Sequence, residues 1–227
     1  MYLQKNNKKN NIIDIKEVTG FRMMHATLKL RRNAYMKHAF IKKRKFLTWL
    51  DRFDFIKSTK NIIICSNKIP IMTLRLCTCL LNKPEHAGKY LPSAKIFGAI
   101  EMYDNIFNSY KNCVVTEISK LARNFESKLP EFYFFEIYGS IKSEIDKINP
   151  NLILISVRRN HILFYSRLGF FVIIQEKFYE ADNVWLCLMA CTIENFLSMP
   201  DNAIKLLQKR GLCQQLLMGD SISTEPH

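Results

Sequence analysis

The stretch Asn160–Phe170, NHILFYSRLGF, decides the fold, because it reads as a short helix that ends at a glycine and passes directly into a strand. His161, Phe164, Tyr165 and Leu168 fall at the i, i+3, i+4, i+7 spacing of one helical face. Gly169 then supplies the left-handed C-cap that releases the chain into FFVIIQE. Such a unit docks a tyrosine beside a sheet. Reading backward, Leu152–Val157 is an apolar strand, suited to a sheet covered on both faces. Before it, Ser127–Ile148 places Leu129, Phe132, Phe135, Ile141, Ile145 and Ile148 on the inner side of a long helix that Pro150 stops. Reading forward, Phe170–Glu176 and Val184–Thr192 form a closing antiparallel pair, and a last helix over Asp201–Leu217 precedes a polar tail.

The front half supplies the rest of the sheet. Ala26–Leu50 is helical in pattern, with Leu30, Ala34, Met36, Phe40, Leu47 and Leu50 set among basic residues. Ile62–Ser66 and Ile69–Thr78 read as strands joined by a tight turn at Asn67–Lys68. Pro70 belongs near the start of its strand or on an edge. Asn82–Pro92, with two prolines and a glycine, reads as a loop. Ser93–Tyr110 reads as a helix and Cys113–Ala122 as the central strand. Residues 1–20 are expected to be a mobile tail, with a short ordered piece around Ile12–Ile15, residues 21–198 a single domain, and residues 199–227 a C-terminal helix and polar tail. This order implies an α/β fold, a mixed central sheet with helices on both faces. There is no GxGxxG, Walker loop or HExxH, and seven glycines leave little room for a phosphate cradle.

Composition narrows the classes. With 227 residues and 48% hydrophobic content, the chain buries one good core. No run approaches the roughly 18 apolar residues of a membrane span, and the first twenty residues are rich in Lys and Asn without an apolar signal core. With seven cysteines, an odd number, these features point to a cytoplasmic protein with reduced thiols. Zinc held by Cys77 and Cys79 together with Cys187 and Cys191 is conceivable, but C-x-C and C-x-x-x-C on strands lack zinc-finger spacing, so the expectation is no metal. The net charge of +14 attracts a polyanion: nucleic acid, anionic lipid or an acidic protein. The densest basic runs are Arg31-Arg32, Lys42-Lys43-Arg44-Lys45 and Arg158-Arg159, and each also suits an ordinary solvated face.

Six pieces, in order over about residues 28 to 190, carry a resemblance. They are Arg31 with Tyr35, Asp51 with Asp54, Arg75 in TLRL, Leu91-Pro92 leading to Phe97, Glu117 and Lys120 in TEISKL, and the helix-to-strand unit of His161–Phe170. Together they resemble the long-chain N-acyl amino acid synthases, GNAT-fold acyltransferases that share their front half with the acyl-homoserine-lactone synthases. Lys120 departs from the pattern, which usually has arginine there. Lysine keeps the charge but loses the bidentate fork. A second departure separates branches, since acyl-CoA enzymes of this fold carry a glycine-rich pyrophosphate turn after the central strand and LARNFESKLPEF has none.

The resemblance implies an N-acyltransferase moving a fatty acyl group from an acyl carrier protein to the amine of an amino acid or similar small molecule. No bound cofactor is implied; the co-substrate is an acyl-phosphopantetheine thioester, with CoA as the alternative carrier. Amide formation needs a neutral amine, a stabilised oxyanion and a proton for the leaving thiolate. Glu117 is the candidate base, or it positions the acceptor, or it is ion-paired with Arg75 or Arg31. Tyr165 is the candidate acid, with ordinary core packing as the alternative. A bulge in the central strand would offer backbone N–H groups near Ile118–Leu121 to the oxyanion. Arg31, Tyr35, Asp51, Asp54, Arg75, Ser119, Lys120 and His161 are the substrate-binding candidates, and Phe132, Phe134 and Phe135 could line an acyl slot. The acidic carrier protein would meet Arg32, Lys42, Lys43, Arg44 and Lys45, with Arg31 beside them. The rival readings are an acyl-CoA-dependent GNAT acetyltransferase and a basic nucleic-acid-binding module. Nucleic acid is not the expected partner, because the aromatics sit at core spacing.

Overall fold

The computed structural model describes residues 13–37, 49–124 and 133–198. Seven strands form one sheet in the order β1-β2-β3-β4-β5-β7-β6. β1 (Ile13–Glu17) pairs antiparallel with β2 (Thr59–Ser66), so this part of the expected mobile tail is an edge strand whose Ile13 and Ile15 pack on the core. β2 and β3 (Ile69–Leu81) form the expected hairpin. Asn67 and Lys68 both have positive φ, 50° and 68°, which a two-residue turn matched to the strand twist requires. β4 (Cys113–Arg123) lies antiparallel to β3 and parallel to β5 (Leu152–Arg158). β6 (Phe171–Tyr179) and β7 (Val184–Thr192) close the sheet, with β7 inserted beside β5.

Helices cover both faces. α1 (Gly20–Lys37), α2 (Pro84–Tyr90), α3 (Ala94–Phe97) and α4 (Ala99–Phe107) lie on one. α5 (Tyr133–Ile148), α6 (Ile162–Arg167) and α7 (Ile193–Leu197) lie on the other, over Ile64, Leu74, Ile153 and Met189. The period-two alternation of the strands sorts the side chains: Ile153, Ile155 and Val157 enter the α5 core, and Leu152 and Leu154 the α4 core.

Three expectations change in detail. The segment read as a loop contains α2, because Pro84 at the first helical position lacks only an N–H that the helix leaves unpaired anyway. The single helix over Ser93–Tyr110 is two, broken at Gly98, whose φ of 90° ends α3 and starts α4 on a new axis. The first helix begins six residues early, at Gly20, and its expected end beyond Lys37 lies outside the described residues. The expected C-terminal helix over Asp201–Leu217 and the acyl-slot residue Phe132 also lie outside them. Cys79 belongs to the α4 core whereas Cys187 and Cys191 belong to the α5 core, so the sheet separates the two cysteine pairs and a shared zinc site is ruled out.

Candidate active site

β4 and β5 pair only from Val115–Leu152 to Ile118–Ile155, yet β4 runs on to Arg123 and β5 to Arg158. Beyond Ile118 the facing edges of the two strands have no ladder partner in each other. On its other edge β4 carries a bulge: Arg75 opposes Ser119 and Thr73 opposes Ala122, so one extra residue sits between them. Lys120 takes up the irregularity with φ 53°. The expected bulge is therefore present at the expected residues, beside the place where the strands part.

Glu117, on the last full turn of pairing, points to the α1–α4 face and is 2% exposed. Ser93 holds both of its oxygens: the backbone N–H donates to Oε2 at 3.0 Å and the hydroxyl to Oε1 at 2.7 Å. The Ser93 hydroxyl also meets Ser156 Oγ, on β5 just past the last β4 pairing. Burial pushes the Glu117 carboxyl up to about 7, even though the two Ser93 bonds and the Arg75 charge pull it down. Its hydrogen bonds thus go to a serine rather than to either arginine. A carboxyl that titrates near neutrality is what a general base needs.

Beside it lies an ionic cluster. Asp51 and Asp54 bracket a short 3₁₀ turn as a reciprocal capping box, Phe53 N–H donating to Asp51 Oδ1 at 2.9 Å and Asp51 N–H to Asp54 Oδ2 at 3.0 Å. Asp54 Oδ1 receives Arg31 Nη1 at 2.8 Å and Arg75 Nη1 at 3.2 Å. Asp51 Oδ1 receives Arg75 Nη1 at 2.6 Å. Arg31 Nη2 donates to Asn61 Oδ1 at 2.8 Å and Arg75 Nε to Ser119 Oγ at 3.1 Å. Lys120 Nζ stands 3.7 Å from Asp51 Oδ2. Burial alone would raise the Asp51 pKa; Arg75, Lys120 and the Phe53 amide overcome it and hold the carboxyl below its ordinary value. The Lys120 ammonium is pulled below its ordinary value, first by burial and then by Arg75 and Arg31, against Asp51. Tyr35 stacks on Trp49 with centroids 5.6 Å apart and donates from its hydroxyl to Leu121 O at 3.2 Å, which ties α1 to the bulge.

Arg31, Tyr35, Asp51, Asp54, Arg75, Glu117, Ser119 and Lys120 are thus gathered on one face. Arg31 and Arg75 are wholly buried, so the expected contact of Arg31 with a carrier protein is corrected: its guanidinium faces Asp54 and Asn61 inside the fold. Arg32 is exposed on α1, and Lys42, Lys43, Arg44 and Lys45 lie outside the described residues. Tyr165 is not with them. It packs on the opposite face, edge-on to Phe164 and Phe170, and burial pushes its phenol up to about 12. The aromatic face of α6 docks into the α5 core, so Glu117 and Tyr165 stand on different faces of the sheet. His161 ends a 3₁₀ turn just before α6.

Sequence reasoning missed Ser93, Ser156 and Asn61. Two of them left a trace. Ser93 follows Leu91-Pro92 at a helix start, an N-cap signal, although its hydroxyl serves Glu117 instead of capping α3. Ser156 is the polar residue in the apolar run LILISV.

The fold is that of the GNAT N-acyltransferases. FeeM, an N-acyl amino acid synthase from uncultured soil microbes, superposes with a TM-score of 0.66 over 85% of this chain and 97% of its own, at 16% identity. An acyl-CoA N-acyltransferase from Pseudomonas aeruginosa gives 0.53 over 80% and 99% at 12% identity, and the acyl-homoserine-lactone synthase LasI gives 0.53 over 81% and 90% at 9% identity. No curated protein matches the chain by sequence. A family model described as N-acyl amino acid synthase FeeM matches residues 26–192, and the chain belongs to that family of N-acyltransferases. Among the described residues no helix is long and apolar enough to cross a membrane.

Proposed function

We propose that this enzyme transfers a fatty acyl group from the phosphopantetheine thioester of an acidic acyl carrier protein to the amine of an amino acid or a similar small molecule that bears a carboxylate. The observation that carries the acceptor half is Lys120: of the cluster's cations Arg31, Arg75 and Lys120 it is the one with a partly exposed side chain, and its ammonium stands 3.7 Å from Asp51. Arg75 Nη2 is buried and has no hydrogen-bond acceptor. The Lys120 ammonium, backed by a buried guanidinium, suits a carboxylate. The donor half is supported by the net charge of +14, by exposed Arg32, and by the absence of glycine from LARNFESKLPEF where a CoA pyrophosphate would need a backbone cradle. Buried free thiols support a reducing, cytoplasmic setting.

In this reading Glu117 takes the proton of the incoming ammonium. The amine nitrogen attacks the thioester carbon, amides at the bulge from Ser119 to Leu121 receive the oxyanion, and collapse expels the pantetheine thiolate. Tyr165 is the proposed proton donor to that thiolate, which requires the thiolate to leave through the gap where β4 and β5 part, toward the face on which Tyr165 packs. The test is product analysis. Purified enzyme with an acyl carrier protein charged with long-chain acyl groups and a mixture of amino acids should give an N-acyl amino acid by mass spectrometry, whereas acyl-CoA should serve poorly. Equal use of acyl-CoA would overturn the carrier-protein half; products only from amines without a carboxylate would overturn the acceptor half.

A further inference from the structure

Glu117 is 2% exposed and each of its oxygens already accepts a bond from Ser93, so its burial keeps an incoming ammonium in solvent from meeting the carboxylate directly. The way out of this difficulty is the neighbouring hydroxyl. Ser93 has one hydroxyl proton, and with Glu117 ionised that proton goes to Oε1. The contact between Ser93 Oγ and Ser156 Oγ must then be donated by Ser156. Every donor in the chain therefore points toward the carboxylate. Ser156 is half-buried, stands one residue beyond the last β4–β5 pairing, and as a donor to Ser93 keeps its own oxygen lone pairs for a further proton.

We propose that Ser156 and Ser93 form a hydroxyl relay that carries the acceptor's proton to Glu117, with Ser156 as the residue that touches the amine. This rests on the transferase reading above and names its proton path. The step balances. The ammonium N–H bond breaks and its proton goes to Ser156 Oγ, the Ser156 proton passes to Ser93 Oγ, and the Ser93 proton passes to Glu117 Oε1. The amine keeps the electron pair with which it attacks the thioester, and both hydroxyls are regenerated. Ser93 is a positioning residue in two senses, since its backbone amide fixes Oε2 while its hydroxyl links Oε1 to the relay. The other groups facing the carboxyl are Arg75, Cys77 and Cys79 on β3 and Asp51 on the 3₁₀ turn, while α3 carries Lys95, whose ammonium lies over the Phe53 ring. None of them bridges Glu117 to the parted strands by a hydrogen bond.

The experiment is the pH dependence of kcat/KM for Ser156→Ala, Ser156→Thr and Ser93→Ala, each first shown by urea unfolding to be folded. Ser156→Ala should lower the plateau about 10²-fold, the lower end of what a positioned proton-transfer group contributes, without moving the acidic limb. Ser156→Thr keeps the hydroxyl and should recover most of that loss. Ser93→Ala removes a hydrogen bond to the ionised carboxylate and should move the acidic limb to higher pH. A role limited to packing predicts neither the threonine rescue nor the limb shift. Wild-type rates in Ser156→Ala, or equal losses in Ser156→Ala and Ser156→Thr, would overturn the relay while leaving the transferase reading intact. Failure of the wild-type enzyme to acylate any amine would overturn both.

Discussion

Replacing Glu117 by glutamine tests the carboxyl's environment apart from its chemistry. Glutamine fits the Ser93 bonds with one reversal: its carbonyl accepts the Ser93 N–H, its amide donates to Ser93 Oγ, and that hydroxyl turns toward Ser156. What the variant loses is a titration. In the native protein the carboxyl holds its proton up to about pH 7, against 4.5 for the free group. Between those values the folded state binds more protons than the unfolded one, so stability falls as pH rises through that window. The difference between about 7 and 4.5, at about 1.36 kcal/mol per pH unit, amounts to about 3 kcal/mol. Below pH 4.5 both states are protonated and the effect vanishes.

The assay is urea or thermal unfolding of wild type and Glu117→Gln side by side from pH 4.5 to 8. The other carboxyls titrate in both proteins and cancel in the difference. The variant should gain on the wild type by about 3 kcal/mol across the range, about 6–12 °C in Tm for a chain of this size, while kcat/KM falls about 10²- to 10⁴-fold. Parallel stability curves would refute the reasoning, since they would mean that the carboxyl is hydrated or ordinarily ionised in the folded state. Loss of activity with parallel curves would leave a catalytic base but no burial-driven pKa.

Arg75→Met should cost about 3–5 kcal/mol in urea unfolding, because Asp51 and Asp54 lose a buried counter-ion that each contacts. Tyr165→Phe removes one hydroxyl from a ring held by Phe164 and Phe170; a fall in kcat of about 10²-fold supports proton donation, and an unchanged rate assigns the ring to packing alone. Lys68→Gly should stabilise the β2–β3 hairpin by about 1 kcal/mol, read as a higher Tm, by relieving a left-handed backbone with φ 68°.

The sheet was legible because its strands are marked by period and its turns by chemistry. Asn67–Lys68 and Gly169 both occupy the positive-φ positions that their places in the pattern require. Val184–Thr192 is a strand over the very residues read from its apolar run. The ionic cluster was legible in membership but not in depth. The family resemblance put Arg31, Asp51, Asp54 and Arg75 together, whereas only packing decides that both guanidinium groups are sealed from water. α6 shows the converse limit. Its i, i+4 pattern fixed which residues share a face, but two faces of one sheet are both apolar, and periodicity does not say which of them a helix will cover. Tyr165 was therefore placed on its helix, whereas the core that its ring packs on was not legible.

Burial divides the cluster into an inner frame and an outer pair, and this bears on how an acceptor would be chosen. Arg31, Arg75 and Asp54 have side chains with no exposure, whereas Asp51 and Lys120 show 22% and 29%. The inner three resemble a structural keystone: Asp54 is gripped by two arginines from α1 and β3 and by the Asp51 amide, which locks the 3₁₀ turn under the sheet. Of these five side chains, solvent touches only the outer pair. In the proposed reaction a carboxylate arriving at Lys120 would compete with Asp51 for one ammonium. Lys120 also sits on the bulge proposed to receive the oxyanion, so both roles would fall on a single residue held at φ 53°. An arginine there would offer two parallel N–H bonds where lysine offers a mobile point charge. The lysine therefore favours tolerance over strict orientation, and a family member built this way should accept a broader set of amino acids than one carrying the fork.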